Sequence, residues 1–198
     1  MTYPRLVSLA TLAAVLLFGL PLGAAVITNG GFETGSLPPW FQDRTFCSTN
    51  CVNWAVTNTD SHTGAFSALD SGNIELRQNF AAVSTSLITE VSFWMKHPNG
   101  AGTPLAYTFF YSDATSAEFG VSSTDAGWDF VNATANLAVG KNLVGFSVFG
   151  VDGPADKRTF IDDVQILTGE AAVPEPGSLA LVGSSLLLIA AARRRIRK

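Results

Sequence analysis

The sequence has few of the residues on which hydrolytic enzymes depend. It contains only two histidines, His62 and His97, and neither belongs to a His-Glu-x-x-His pattern. It also lacks the Gly-x-Ser-x-Gly elbow of serine hydrolases. A glycosidase needs paired carboxylates across a cleft, but no Glu-x-Asp-x-x-Glu run is present, and we expect Asp70, Glu75 and Glu90 to be scattered, solvated acids. A hydrolase is therefore the least favoured function.

Basic residues are scarce in the central part of the chain. Residues 26–175 contain all 16 acidic residues but only six of the 12 basic ones, a net charge of −10 against −4 for the whole chain. Such an acidic surface argues against nucleic acid and anionic membranes as partners, and it can attract divalent cations. The 150 residues of this segment suffice for one packed core and are short for two domains.

Five of the other six basic residues follow an apolar run at the C-terminus. The run is preceded by Pro174, Glu175 and Pro176, and the two prolines hold this box in an extended, non-helical conformation. Residues 178–192 carry no charge, and five of the last six residues, from Arg193 to Lys198, are basic. This order of box, apolar run and basic tail resembles the PEP-CTERM sorting signal of Gram-negative bacteria.

The resemblance implies a route and a partner. In that family the Pro-Glu-Pro box is read by an exosortase, a membrane-embedded cysteine protease or transpeptidase. We therefore expect an exported protein that is transiently anchored in the inner membrane and then reaches the cell envelope or the extracellular biofilm matrix. Residues 178–192 are the predicted transmembrane sorting helix and 193–198 its cytoplasmic tail. The alternative is an ordinary anchor that is never processed.

The apolar run is short for a membrane span. Its 15 residues would rise roughly 22 Å as a helix, against about 30 Å for a bilayer core. Snorkelling of the arginines that follow can make up part of the difference.

The N-terminus has the features of a secretory signal peptide. Arg5 is followed by an apolar core from Leu6 to Leu20, Pro21 ends that core, and Gly23-Ala24-Ala25 offers small residues for cleavage. We predict a signal peptide over residues 1–25 and a mature chain that begins at Val26. The alternative is an anchor that stays uncleaved.

The sequence contains only two cysteines, Cys47 and Cys51, and they lie close together. In the oxidising compartment that export implies, this spacing predicts one local disulfide that pins a loop. Such a small loop would stabilise the fold by about 2 kcal/mol. A metal site would need two further ligands nearby, and none is obvious.

The body has an all-β pattern with no amphipathic helix of useful length. Runs with period-two alternation are separated by Gly, Asn, Asp and Ser, as in short strands joined by turns. Many short strands in one domain predict a two-sheet sandwich. The predicted strands are 74–80, 90–96, 105–111, 128–133, 142–149 and 159–167.

A second resemblance begins at Asn29-Gly-Gly-Phe-Glu33, which is followed by Trp40. This is similar to the opening strand of galactose-binding-like jelly rolls of the carbohydrate-binding-module type. Further matches follow in the expected order, namely Ser61-His62-Thr63-Gly64, Leu76-Arg77-Gln78, Val91 to Met95, and Phe160 to Val164. The resemblance implies a jelly-roll domain over 26–170, joined by a linker over 171–177 to the sorting helix. It indicates fold more than function, because this superfold hosts many functions.

The same resemblance implies a structural Ca²⁺. In many relatives the opening Glu and a closing Asp meet around the ion, with backbone carbonyls from the turn. Carried over, Glu33 and Asp163 are the side-chain ligands, with carbonyls near Asn29 and His62. Asp162 and Asp163 cannot both point into one site without a bulge. The alternative is that Glu33 and Asp163 pair with Arg158 or cap turns.

Sugar binding requires an aromatic platform with polar groups beside it on the concave sheet. In the predicted strand 90–96, Val91, Phe93 and Met95 share one face, so that Trp94 lies on the other face with Ser92 and Lys96.

We expect Tyr107 and Tyr111, on the next strand, to join this platform. The alternative places Trp94 in the core.

Three functions remain open at this point. The first is a structural protein of the envelope or matrix, the second is a carbohydrate-binding module on the same route, and the third is a hydrolase. An exposed aromatic pair on the concave face would favour the second, and a cleft with two facing carboxylates the third.

Overall fold

The computed structural model describes residues 24–45, 52–70, 74–98, 104–123, 126–150 and 159–169. These parts of the chain contain eleven strands and two short 3₁₀ helices, Thr85–Leu87 and Thr134–Asn136. The strands in chain order are β1 (Ala24–Ala25), β2 (Phe41–Asp43), β3 (Ala55–Thr57), β4 (Ser67–Asp70), β5 (Glu75–Ser84), β6 (Ile88–Lys96), β7 (Pro104–Tyr111), β8 (Ser116–Ser122), β9 (Trp128–Asn132), β10 (Asn142–Gly150) and β11 (Thr159–Thr168).

The strands form two antiparallel sheets, which confirms the predicted all-β sandwich. Sheet A has the order β3-β4-β11-β6-β9, and β1 pairs with the last residues of β11. Sheet B has the order β2-β5-β10-β7-β8. The chain crosses repeatedly between the sheets, and two of these crossings lead from β5 into β6 and from β6 into β7.

Along each strand, alternate side chains point inward and fill the core between the sheets. Val91, Phe93 and Met95 of β6 are fully buried, as predicted, and they belong to one cluster with Phe109 of β7 and Phe146 of β10. Each buried phenylalanine contributes about 1.5–3 kcal/mol of hydrophobic free energy. This core fixes which residues of sheet B must face outward.

Two polar side chains bind the first part of the chain to the strands. The Gln78 amide accepts from the backbone N–H of Thr28 and donates to its carbonyl, at 2.9 Å each. The Gln42 amide makes the same pair of bonds with Trp54, whose indole is buried and donates to the carbonyl of Ile74. Backbone groups that no ladder pairs are satisfied in this way.

Several sequence predictions concern residues outside the described part of the chain. They are the signal peptide up to residue 23, the disulfide of Cys47 with Cys51, Arg158, the linker over 171–177, the sorting helix over 178–192 and the basic tail. Within the described ranges, no helix is long and apolar enough to cross a membrane.

Candidate functional site

A groove crosses the outer face of sheet B. Because Leu76, Tyr107, Phe109, Phe146 and Val148 face the core, their neighbours along β5, β7 and β10 point outward. The groove has a volume of about 330 Å³, near the lower end of the usual range for small-ligand sites. It is lined by Asp43, Glu75, Thr108, Phe110, Ser116, Glu118 and Phe149.

Strand register explains why the face is hollow. Ser147 of β10 pairs with Arg77 on one side and with Thr108 on the other, and Thr108 pairs with Glu118. Ser147 and Thr108 are small, so they form a low, buried floor between larger neighbours. In the adjacent row Phe149 pairs with Ala106, which pairs with Gly120. The groove therefore follows from small residues at the centre of the sheet.

The aromatic side chains of the groove differ in what covers them. The guanidinium of Arg77 lies over the Phe110 ring, with Cζ 3.6 Å from the ring centroid, and Arg77 Nε also donates to Asn79 at 2.8 Å. This cation–π contact occupies one face of Phe110. Phe149 is half-buried on the other side of the floor. Phe41 of β2, the cross-strand partner of Arg77, is 41% exposed.

The pKa of Glu75, which lines the groove, is raised. Burial raises the pKa of Glu75, and the nearby charges of Asp43 and Glu118 add to the rise. A hydrogen bond from the Ser147 hydroxyl and the charge of Arg77 oppose it. The expectation that Asp70, Glu75 and Glu90 are solvated is wrong for Asp70, which is only 5% exposed, and for Glu75, which is half-buried. Glu90 is half-buried as well and accepts a hydrogen bond from Ser92.

Trp94 lies on the opposite sheet, and its ring is partly covered. It points outward from β6 as predicted, but it is half-buried and stacks on the imidazole of His62, with ring centroids 3.8 Å apart. Phe130 packs on it at 5.2 Å and is itself 51% exposed. Trp94 therefore holds the turn that carries His62 onto sheet A.

The expected partners of Trp94 are arranged differently. Ser92 is buried and donates to Glu90 at 2.6 Å, and Lys96 forms an ion pair with Asp60 at 2.7 Å. Tyr107 and Tyr111 are only 2% and 3% exposed, in the core, so the prediction that they join a sugar platform is wrong. The reason is that β6 and β7 belong to different sheets. The tyrosines point from sheet B into the core, whereas Trp94 points outward from sheet A.

The Asn29-Gly-Gly-Phe-Glu33 segment packs against β11 and the turn at 61–66. A Cβ on Gly30 would lie 2.0 Å from the carbonyl oxygen of Val164, so only glycine fits there. Asn29 donates its side-chain N–H to Ser36 and Pro38, and its carbonyl accepts from the Trp40 indole at 3.1 Å.

The carboxylate of Glu33 binds the 61–66 turn. It accepts from the backbone N–H groups of Ala65 and Phe66 at 3.0 Å, which corresponds to the turn-capping alternative. Gly64 has a φ of +62°, and a Cβ there would lie 2.4 Å from this carboxylate, so the turn requires glycine.

Both aspartates of β11 reach the same turn, because the strand has the bulge that this requires. The pairing register with β6 shifts between Asp162 and Gln165, and Asp163 has a φ of +48°. Asp162 is fully buried and accepts from the backbone N–H groups of His62 and Thr63. Asp163 accepts from the Thr63 hydroxyl at 2.8 Å, and His62 Nδ1 lies 2.8 Å from its other oxygen.

Three acidic side chains of this region lie close to Gly31. A Cβ on Gly31 would lie within 4 Å of Asp162, Asp163 and Glu33 at once, so the three side chains border one cradle. Burial raises the pKa of Asp162 to about 6, against hydrogen bonds that lower it, and the charge of Asp163 adds to the rise. Carboxylate oxygens are the ligands that Ca²⁺ prefers. Among the described residues, however, no three acidic, His or Cys side chains lie close enough together to hold a metal.

Comparison with known proteins gives one family match and a set of structural neighbours. Residues 172–195 match the PEP-CTERM protein-sorting motif. The motif indicates an exported protein that is sorted through the membrane and implies processing by an exosortase. No curated protein matches the sequence.

Solved structures that resemble this chain include carbohydrate-binding modules. The CBM22-1 xylan-binding domain of Paenibacillus barcinonensis Xyn10C is 18% identical, with a TM-score of 0.54 over 77% of this chain and 99% of that domain. The tandem CBM22-1–CBM22-2 domain of the same protein is 17% identical, with a TM-score of 0.56 over 81% of this chain and 50% of the tandem.

A family 16 carbohydrate-binding module is 14% identical, with a TM-score of 0.53 over 72% of this chain and 99% of that module. At these identities the likeness shows the fold alone. The chain thus carries a C-terminal PEP-CTERM protein-sorting motif behind a body with the jelly-roll fold of carbohydrate-binding modules.

Proposed function

We propose that this protein is a non-enzymatic component of the cell envelope or extracellular matrix that binds a polysaccharide in the groove of sheet B. The groove carries this proposal, because an apolar ring, Phe149, lies beside a floor and rim of hydroxyl and carboxylate groups. Apolar rings stack on the C–H faces of sugars, and the polar groups bond their hydroxyls. The fold of the similar modules supports a binding role, although their identities are too low to transfer a ligand.

A purely structural role on the same route is the competing proposal. The two differ in whether the groove is occupied by a glycan. A variant that fills the groove without disturbing the core separates them.

Gly120 offers a site for such a variant. It pairs with Ala106 beside the groove, and no heavy atom lies within 4 Å of where its Cβ would be. Gly120→Tyr should place a ring over the groove at little cost in stability. Gln165→Tyr, at an exposed position on β11 of sheet A, is the matched control.

The test measures retention of the full-length protein on a panel of immobilised polysaccharides, in a detergent without a sugar headgroup. We expect weak binding, because few contacts must offset the ordering of the ligand. Gly120→Tyr should abolish retention and Gln165→Tyr should preserve it. Retention by neither the parent protein nor the control, on any polysaccharide, would leave the structural role.

We also propose that Glu33 and Asp163 hold a structural Ca²⁺, with backbone carbonyls near Asn29 and His62. The gathering of Glu33, Asp162 and Asp163 around Gly31 supports this proposal. A bound ion would neutralise their charge and fix the 61–66 turn on β11.

If calcium binds only to the folded state, it must raise the stability of that state, by about 2.7 kcal/mol when the calcium concentration is a hundredfold above Kd. Thermal melts with calcium and with chelator, at equal ionic strength, should therefore differ by several degrees. Glu33→Gln should remove most of the difference, whereas Glu90→Gln, on the outside of sheet A, should not. Superimposable melts of the parent protein would reject the site.

A further inference from the structure

The groove of sheet B is acidic as well as partly apolar. Asp43, Glu75 and Glu118 come from three different strands, β2, β5 and β8, and all three line it. Asp43 and Glu75 are cross-strand partners, and Glu118 lies across the floor, beside Thr108. The three carboxylates thus come to line one groove only when their strands assemble into the folded sheet.

These carboxylates have little cationic compensation. The salt bridges among the described residues involve Asp163, Asp60 and Asp113, none of which lines the groove. Arg77 on this face offsets part of the negative charge, because it acts on both Asp43 and Glu75, while its guanidinium lies on Phe110 and donates to Asn79. The acids of the groove therefore present a net negative potential to a ligand.

That potential distinguishes polysaccharides by charge. A glycan built from uronic acids would bring further carboxylates beside Glu75 and Glu118, and like charges brought together in a partly buried site oppose binding. A neutral glycan can donate hydrogen bonds from its hydroxyls to the carboxylates without this repulsion between like charges. A protonated sugar amine donates hydrogen bonds and also neutralises the charge, and charge-assisted bonds are the stronger ones.

We propose, building on polysaccharide binding in this groove, that its ligand is a glycan with free amino groups and that the groove excludes polyuronates. Glu118 at the open rim is the main selectivity residue, because it is exposed and faces a ligand that crosses the floor. Phe149 supplies the apolar contact that amino and neutral sugars share.

The experiment compares three soluble oligosaccharides of equal length by calorimetry with the full-length protein. They are a β-1,4-linked glucosamine oligomer, its N-acetylated counterpart and an oligogalacturonate. The buffer is kept acidic enough to protonate the sugar amines but above the ordinary pKa of Glu, about 4.3. We expect the glucosamine oligomer to bind roughly three- to tenfold more tightly than the acetylated one, as a few partly exposed ion pairs allow. The oligogalacturonate should not bind.

Two further measurements locate the effect. The preference for the amine should shrink as salt is raised, because the Debye length falls from about 30 Å at 0.01 M to about 3 Å at 1 M. Glu118→Gln should reduce that preference severalfold, because loss of the charge weakens binding of the amine more than binding of the acetylated oligomer. Glu90→Gln removes the same charge from the outside of sheet A and should leave both affinities unchanged.

The outcomes separate this inference from the proposed function. If the acetylated oligomer binds and Gly120→Tyr blocks it, but the amine gives no advantage, the charge selectivity is overturned and polysaccharide binding stands. Binding of the oligogalacturonate as tightly as the others would also overturn the selectivity. If none of the three oligosaccharides binds, the preference for amino sugars is overturned, and retention on the polysaccharide panel alone decides whether the groove binds a glycan.

Discussion

At the scale of single residues, the contacts of Trp94 indicate that this side chain stabilises the fold. Its ring packs on His62 and Phe130, and His62 in turn lies against Asp163. Trp94→Ala should therefore lower the free energy of unfolding by roughly 2–4 kcal/mol, somewhat less than the ~3–5 kcal/mol of a fully buried tryptophan. Denaturant unfolding measures this loss.

Trp94→Phe is the control for that variant, because it retains a ring against His62 and should recover much of the stability. Polysaccharide retention of Trp94→Phe should equal that of the parent protein. A Trp94→Ala protein of unchanged stability that no longer binds glycan would instead place the sugar site on sheet A.

Glu75 gives a pH-dependent prediction with a defined sign. Its pKa is raised in the folded state, mainly by burial, so the folded protein binds the proton more tightly than the unfolded chain. The contribution of Glu75 to stability is therefore greatest below the unfolded pKa of about 4.3 and falls as the pH rises through the raised pKa. Glu75→Gln removes this penalty and can still accept from Ser147, so it should raise the melting temperature at neutral pH.

The difference between Glu75→Gln and the parent should narrow as the pH is lowered to about 4, because the parent carboxyl becomes protonated there. Glu75→Ala tests the hydrogen bond separately. It leaves the fully buried Ser147 hydroxyl without this acceptor, and it should be less stable than Glu75→Gln at every pH. Parallel pH curves for the parent and Glu75→Gln would contradict the raised pKa.

At the scale of elements, the sequence predicted the long central strands better than the short ones. β5, β6, β7, β9, β10 and β11 correspond to predicted strands, because their alternation of apolar residues spans five residues or more. β1 to β4 have only two to four residues each, too few for a periodic signal. β8 also alternates, with Ala117, Phe119 and Val121 half-buried and the residues between them exposed, but it was not among the strands predicted from the sequence.

This limit also explains why the groove was missed. Two of its acids, Asp43 and Glu118, lie on β2 and β8, which were not predicted. Moreover, alternation shows which residues share a face, but it does not show which sheet a strand joins. Trp94 and Tyr107 lie on consecutive predicted strands, and only the crossover from sheet A to sheet B separates them.

Substitution of Gly30 tests how closely the segment from Asn29 to Glu33 packs against β11. Val164 donates its backbone N–H to the Gly30 carbonyl at 3.0 Å, and an added Cβ would collide with the Val164 carbonyl. Since backbone atoms cannot move aside cheaply, Gly30→Ala should destabilise the protein by about 1–3 kcal/mol or more. Gly120→Ala, where the space is open, is the control and should be neutral or slightly stabilising. Equal melting temperatures for the two variants would contradict this packing.

At the scale of the whole molecule, the two ends of the body lie together. Ala24 and Ala25 pair with Thr168 and Leu167 at the end of β11, and Gly169 donates to the Leu87 carbonyl. Only four residues separate Gly169 from Pro174, a reach of at most about 18 Å. The proposed signal peptide and the sorting motif thus adjoin the same end of the sandwich, and the groove of sheet B lies on strands that neither segment includes.

This arrangement predicts that removal of both ends leaves the fold intact. Cleavage after Ala25 would remove β1, whose two residues are exposed, and Val26 would keep its hydrogen bond to the Ile166 carbonyl at 2.8 Å. Cleavage near the Pro-Glu-Pro box would fall beyond Gly169, where β11 has already ended. The exported protein should therefore begin near Val26 and end near Glu175, and intact-mass analysis of the cell-free form measures both ends. Replacing Pro174, Glu175 and Pro176 by alanine should leave the basic tail attached and the protein with the cells. An exported parent protein that still carries Arg193 to Lys198 would show that the tail is a plain anchor and that the exosortase does not remove it.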